Sequence, residues 1–478
     1  MAQQQLGDAP VKQQKIMQSL IICATSFISF ITVLVSYYPG IIYGPDLEQQ
    51  LAQANGHIPF NDWHPPLMAL LWRWGIQLTG RDSVLFLAET GLFVGSFFLF
   101  ALGGYLTKRL QWFWAVVLSL APLYAPLLIQ SGRLWKDQLL TYMILFALAL
   151  VWISGKARLH IVLIAGFVVF AGAAVLLRAN GIFAVLFLLP LAAQKLKLAV
   201  EGGAGHPLGA SGTKFVPVLF ALVAIFAVAT AGMAVGVQTV AKPDKTHQID
   251  QLFLDDLVNV TPPEQIKALP VSEGFKNYLA GAITRCHTEP RKQNLMWFTC
   301  ADGKQVELKS GTKVFSGIYH YHGDFQKAWL AVIPRHPLRY TAYRVEAFTR
   351  FVFDTWSPTV GKISGHFSPR FPHLFTATTF YTDTTCTRWA PLFFCPAFYL
   401  VCNVFTLAYL RRHKAALQCE NYSFALWLSA ASLFWLISQI PLVPVPDYRY
   451  AYFSIASTVL ALGLLWGGRK QKISCLEG

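Results

Sequence analysis

Charge is what this sequence has least of. Of its 478 residues only 13% are Asp, Glu, Lys or Arg, while 54% are hydrophobic, and mean hydropathy is +0.44. A soluble chain carries about a quarter charged residues, so the scarcity excludes an ordinary soluble domain and points to an integral membrane protein. No continuous Lys/Arg run accompanies the formal net charge of +15. The basic residues fall in short clusters between apolar segments, a pattern that encodes membrane orientation and gives no nucleic-acid partner. The eight cysteines include no CxxC pair and no metal-like spacing. P-loops are absent, as is any GxGxxG in a strand–helix setting, so no nucleotide fold is expected. The first apolar run is of spanning length and lacks a clear cleavage site, so no removable signal is expected.

What is present is apolar length. A span needs about 20 apolar residues, and ten segments qualify: 16–37, 83–106, 112–130, 138–154, 159–177, 181–194, 215–237, 389–410, 423–441 and 449–467. Lys12 and Lys15 precede the first. Lys108 and Arg109, Lys156 and Arg158, then Lys195, Lys197 and Lys214 follow the second, fourth and sixth. Arg411, Arg412 and Lys414 follow the eighth, and Arg469, Lys470 and Lys472 the last. With ten spans all six clusters share one side, the cytoplasm by the positive-inside rule, and both termini lie there.

The expected architecture is an all-α polytopic membrane protein of about ten transmembrane helices carrying a mixed α/β external domain. Residues 1–240 form the N-terminal transmembrane core, with a first external loop at 38–82. Residues 241–388 form the external (periplasmic) domain, its best helix at 336–356, and 389–478 the C-terminal transmembrane helices. Cys286 and Cys300 fall outside, where an oxidising compartment permits a disulfide. Cys386 and Cys395 are a second candidate pair.

The external face collects a different set of residues. Its first loop, "YYPGIIYGPDLEQQLAQANGHIPFNDWHPPLMALL", holds Asp46, Asp62 and His64. "SGRLWKDQ" adds Lys136 and Asp137, "RANG" adds Arg178, and "PDYRY" adds Tyr448, Arg449 and Tyr450. Helix capping accounts for each acid alone: Asp46 before "LEQQLAQANG", Asp62 before "WHPPLMALLWRWGIQL", Asp137 at the fourth span. Snorkelling accounts for each arginine alone. Neither accounts for acids and bases alternating across four separate external junctions.

Carboxylates beside Arg and Lys at an outer membrane surface suit one reaction class. A lipid-linked sugar phosphate keeps its tail in the bilayer and its head at the interface. An attacking hydroxyl loses a proton that a carboxylate can take, and the departing lipid phosphate gains charge that Arg, Lys or a metal can stabilise. Transporters of lipid-linked sugars want polar groups at mid-membrane depth. The spans read as clean and the charges gather at one face, which argues against transport. An O-antigen polymerase or ligase would also gather basic residues outside, but leaves "DWHPP" unexplained.

The order of first span, acidic external loop and "DWHPPL" resembles the GT-C fold glycosyltransferases, polytopic enzymes that use polyprenyl- or dolichyl-phosphate sugars. "HPP" after an acidic loop is similar to lipid A aminoarabinose transferases and protein mannosyltransferases. "WKD", "RANG" and "YRY" look like a bacterial branch near the O-antigen-modifying glucosyltransferases. The resemblance covers the membrane part and implies a polyprenyl-phosphate sugar donor, with a glycan, glycolipid or protein acceptor. It makes Asp46 the catalytic acid of the first loop, to serve as general base. Asp62 and His64 match a second catalytic position that in some relatives touches a metal. Lys136, Asp137 and Arg178 match positions lining the donor phosphate pocket, where Arg449, Tyr448 and Tyr450 also converge. The loop reads "GPDLEQQ", with no paired-acid motif, which leaves a divalent metal at Asp62 and His64 open.

Overall fold

The computed structural model describes residues 2–154, 157–200, 215–288, 303–308, 311, 313–353, 367–413, 419–443 and 446–468. Cys300, Lys156, Lys214, Lys414, Arg469, Lys470 and Lys472 lie outside the described residues. The chain is predominantly helical among the described residues. Among the described residues, seven helices are long and apolar enough to cross a membrane, or eight if a bent pair counts as one.

The N-terminal half contains α1 (Ala2–Tyr37), two short helices α2 (Pro45–Ala54) and α3 (Leu67–Thr79), and α4 (Val84–Leu106). The bent pair follows, α5 (Trp112–Leu120) and α6 (Ala125–Ser131), then α7 (Lys136–Ile153), α8 (Ala157–Leu177), α9 (Gly181–Val200) and α10 (Phe215–Ala241). α7 packs against α4 and α8, and 78% of its spanning residues are buried, against 11% for α10. α7 is therefore a central strut and α10 a peripheral one.

The break after α5 has a local cause. "APLYAP" puts Pro122 and Pro126 at helix starts with Tyr124 extended between them, because proline lacks an N–H and clashes with the preceding turn. The axis bends by 44°. Two carbonyls beside the break are held from far along the chain. The Tyr448 hydroxyl donates to Pro126 O (3.1 Å) and the Tyr452 hydroxyl to Leu127 O (2.9 Å).

From residue 250 the chain forms α11 (Asp250–Val260), α12 (Glu273–Thr288), α13 (His322–Val332) and α14 (Pro337–Phe353). Between α12 and α13, among the described residues, lies a single antiparallel ladder, β1 (Gln305–Glu307) with β2 (Lys313–Phe315), Val306 opposite Val314. The mixed α/β character expected here reduces to that ladder, because the amphipathic helices supply the packing. Phe325 of α13 meets Phe275 of α12 edge-on, at 4.9 Å between centroids. Arg344 of α14 pairs with buried Asp256 of α11 at 2.6 Å. The same guanidinium donates to Val443 O (3.2 Å), tying this region to the next spanning helix.

α15 (Pro372–Thr384) lies against α1, the Ser36 and Thr378 hydroxyls 2.7 Å apart. α16 (Pro396–Arg412), α17 (Glu420–Leu442) and α18 (Tyr452–Gly467) complete the bundle. The segment expected to span from 389 becomes helical only at Pro396, because residues 385–394 close in π and 3-10 turns. Asn403 of α16 donates to Ser432 of α17 (2.7 Å) and Thr458 of α18 (2.8 Å). Such polar stitches hold helices together where apolar burial cannot discriminate partners.

The cysteines need one correction. Cys386 and Cys395 are not joined; the Cys395 thiol donates to Val352 O at 2.9 Å. Cys286 is disulfide-bonded, as is Cys419, a residue not expected to be.

Candidate functional site

The loops after α1 and before α7 are laced together by backbone. Ile41 N donates to Gly132 O (2.8 Å), and Leu134 N approaches Ile41 O at 3.5 Å. Gly132 is required at this crossing, since a Cβ there would lie 2.3 Å from the Tyr37 ring. Gly44, at φ +96, then turns the chain into α2. The result sets the start of α2 beside the start of α7. Asp46 and Asp137 occupy the first turns of these helices, where unpaired N–H groups favour an anion. Neither is the capping residue: Gly44 and Trp135 hold those positions.

Four separate chain segments meet here. Lys136 Nζ lies 2.8 Å from His64 Nδ1, and His64 Nε2 lies 3.3 Å from Asp46 Oδ1, off the line of a hydrogen bond. An ammonium facing Nδ1 assigns the ring proton to Nε2, toward Asp46. Arg178, just past α8, pairs with Asp137 through Nη1 and lies 4.2 Å over the Tyr450 ring. Arg449 stands between two carboxylates, 4.0 Å from Asp46 Oδ2 and 4.0 Å from Asp137 Oδ2. Its guanidinium lies 4.1 Å over the Trp135 ring. Flat guanidiniums on aromatic faces are attracted electrostatically and fixed in plane.

Burial separates the acids. Asp137 is 2% exposed and the Asp46 side chain 30%. Burial disfavours the Asp46 anion, but the adjacent His64, then the Arg449 and Lys136 charges, outweigh it and hold the carboxyl below its usual range. Burial, then the Lys136 ammonium, pushes His64 down to about 4. At neutral pH His64 is therefore a neutral imidazole and Asp46 a carboxylate, and Asp46 is the member that solvent reaches.

Two expected site residues point elsewhere. Asp62 does not cap α3, whose capping residue is Pro66. Its Oδ1 accepts from both the backbone N and the hydroxyl of Thr246, each at 2.6 Å. With Asp62 N bonded to Asp244 O and Asp244 N to Phe60 O, this acid latches the first loop to the segment after α10. Tyr448 spends its hydroxyl on the α6 carbonyl, so Tyr450 is the tyrosine of the cluster. A divalent metal at Asp62 and His64 does not fit these positions: Asp62 serves Thr246, and His64 Nδ1 faces a cation. Among the described residues no three His, Cys, Asp or Glu side chains are grouped to hold a metal.

Other participants went unread in the sequence. Asp447 accepts from Arg449 N (3.0 Å) and pairs with Arg449 Nε (3.1 Å); an acid two residues before an arginine in a turn was the available signal. Trp135, beside Lys136, was the other. Glu89, within α4, is fully buried and has no hydrogen-bond partner at either oxygen, so the second span is not clean. Beside α4 the Tyr142 and Tyr452 hydroxyls lie 3.0 Å apart. A second charged group occupies the far ends of the helices, where Glu420 pairs with Arg109 (3.0 Å) and with Lys195.

No family model, curated protein or solved structure matches the chain. The geometry of this cluster is thus what a functional assignment rests on.

Proposed function

We propose that the chain is an integral-membrane glycosyltransferase that moves a sugar from a polyprenyl-phosphate donor to a glycan, glycolipid or protein acceptor outside the cytoplasm. Its setting is the bacterial inner membrane, with ten spans, both termini cytoplasmic and residues 241–388 on the external face. One observation carries the reading. Asp46, His64, Lys136, Asp137, Arg178 and Arg449, from four distant segments, meet at one end of the spanning helices.

The chemistry follows from their placement. An acceptor hydroxyl approaches Asp46, the reachable carboxylate. Its oxygen attacks the anomeric carbon, the bond from that carbon to the phosphate oxygen breaks with inversion, and the hydroxyl proton passes to Asp46. Asp46 rests ionised at neutral pH, but its low proton affinity makes it a weak base, so positioning carries much of the rate. Arg178, Arg449 and Lys136 stabilise the departing polyprenyl phosphate. Asp137 and the two aromatic rings hold both guanidiniums in plane before substrate arrives.

The test uses purified protein in lipid nanodiscs, a radiolabelled polyprenyl-phosphate hexose and envelope glycolipids. Wild type releases polyprenyl phosphate with label transfer. Asp46→Asn keeps the size of the side chain but gives up its ionic contacts to His64 and Arg449, so it loses some thermal stability, and per folded molecule it loses roughly a hundredfold in turnover. Equal turnover of the two forms sinks the base assignment. A reporter fused at residue 300 that reads cytoplasmic sinks the shared external face.

A second reading, transport of a lipid-linked sugar, draws on Glu89. Unpartnered carboxyls inside spans mark ion or substrate pathways. Label crossing proteoliposomes without sugar transfer, lost in Glu89→Gln, would favour it.

A further inference from the structure

The end of the bundle away from the charged site contains a cavity of about 370 Å³. Lys15 of α1, Tyr105 near the end of α4 and the turn that leads into α5 form its walls. Lys15, Lys108 and Arg109 all line it, and among the described residues no acid does. Arg109 is fixed from behind, by Glu420 at 3.0 Å, by a bond from Nη1 to Trp152 O at 2.5 Å and by the Trp152 ring at 4.8 Å. Lys108 adopts φ 59, a left-handed conformation that costs a residue with a Cβ about 1 kcal/mol or more. A glycine would close this turn with less strain, yet a lysine stands there, beside two other cations.

The surroundings indicate what those cations meet. Trp112 lines the cavity, and from it a row of rings runs on: Trp112, Phe113, Trp114 and Trp466 follow one another at centroid spacings of 6.5, 5.6 and 5.7 Å. Phe113 is 54% exposed and Trp112 43%. Exposed tryptophans at span ends sit at the depth of lipid headgroups. An apolar strip of exposed Ile16, Leu20 and Leu106 leads away from the cavity along α1 and α4. A soluble phosphate would use the cations alone; a phospholipid uses cations, rings and strip together.

We propose that this cavity binds the headgroup phosphate of an anionic glycerophospholipid. Lys15, Lys108 and Arg109 take the phosphate, Trp112 lies along the glycerol, and the acyl chains follow the strip on α1 and α4. The assignment rests on the helices crossing a bilayer and is independent of the transferase chemistry at the other end.

Native mass spectrometry of the full-length protein tests it, with phosphatidylglycerol and phosphatidylcholine of identical acyl chains. Phosphatidylglycerol should be retained roughly tenfold more strongly. Lys108→Gly suits the backbone and keeps the fold, while lowering the preference about fivefold. Lys15→Gln should do the same, and the double variant should bind the two lipids alike. A thermal-shift titration with inorganic phosphate identifies the source of the phosphate, with no stabilisation expected. Equal retention of both lipids by wild type, a double variant that keeps the preference, or stabilisation by inorganic phosphate equal to that by phosphatidylglycerol each overturns the proposal.

Discussion

The two ends of the helical bundle both gather charges from distant parts of the chain, but they gather them differently. At the far end Glu420 is clasped by Arg109 and Lys195. At the candidate site Asp46 is 30% exposed, 3.3 Å from His64 and 4.0 Å from Arg449. The first acid is used up by its neighbours; the second is held in place but not closed in. Ion pairing alone therefore does not mark a functional site in this protein. The useful sign is slack around one carboxylate inside an otherwise rigid frame.

That contrast can be broken experimentally. Glu420→Gln strands two cations and should cost about 3–5 kcal/mol of stability, read by denaturant unfolding in micelles, with sugar transfer per folded molecule unchanged. A variant that stays stable but loses transfer would erase the distinction between the ends.

At the site end, His64 gives a pH signature. Its proton affinity is pushed from 6.5 down to about 4 in the folded protein. Between those values the unfolded chain takes up a proton that the folded chain refuses. Stability is therefore complete above about pH 6.5 and falls as the pH drops toward 4, by up to about 3 kcal/mol. His64→Gln should flatten that slope. An unchanged slope would mean that another group titrates there.

Arg178→Lys keeps the charge but loses the stack on Tyr450 and the planar fork. Donor affinity should fall roughly thirtyfold, about 2 kcal/mol, in a binding titration with polyprenyl-phosphate hexose. Wild-type affinity would remove Arg178 from the donor pocket. The smallest effect belongs to Asp62→Asn, which weakens the Thr246 latch by about 1 kcal/mol and leaves turnover alone. A collapse in turnover would return Asp62 to the chemistry.

The site was legible in outline because Lys136, Arg178 and Arg449 sit at the ends of apolar helices, where they stand out against their background. Its wiring was not. Asp62 looks like a helix start until Thr246, 184 residues away, takes its oxygen. Glu89 is a single acid in a 23-residue apolar helix and scarcely alters its hydropathy, so only burial exposes it as unusual. Of the ten spans expected, seven, or eight with the bent pair, were readable from length, whereas the break at Tyr124 turned on prolines inside an apolar run. The region after residue 250 looked mixed because short alternating stretches such as Gln305–Glu307 do form strands, but among the described residues they amount to one two-stranded ladder. Amphipathic helices such as α14 dominate there instead.

The tyrosine props at the α5–α6 break have a consequence for biogenesis. Tyr448 and Tyr452 lie 322 and 325 residues downstream of the carbonyls they hold. A chain that enters the bilayer in order of synthesis delivers the broken segment long before its props. Until they arrive, the Pro126 and Leu127 carbonyls have only their intrahelical donors, and the bent pair lacks the two cross-braces that fix it against the end of the chain. The end of the chain therefore acts as a keystone: a nascent chain stopped short of residue 448 would leave the bend in its first third without either brace.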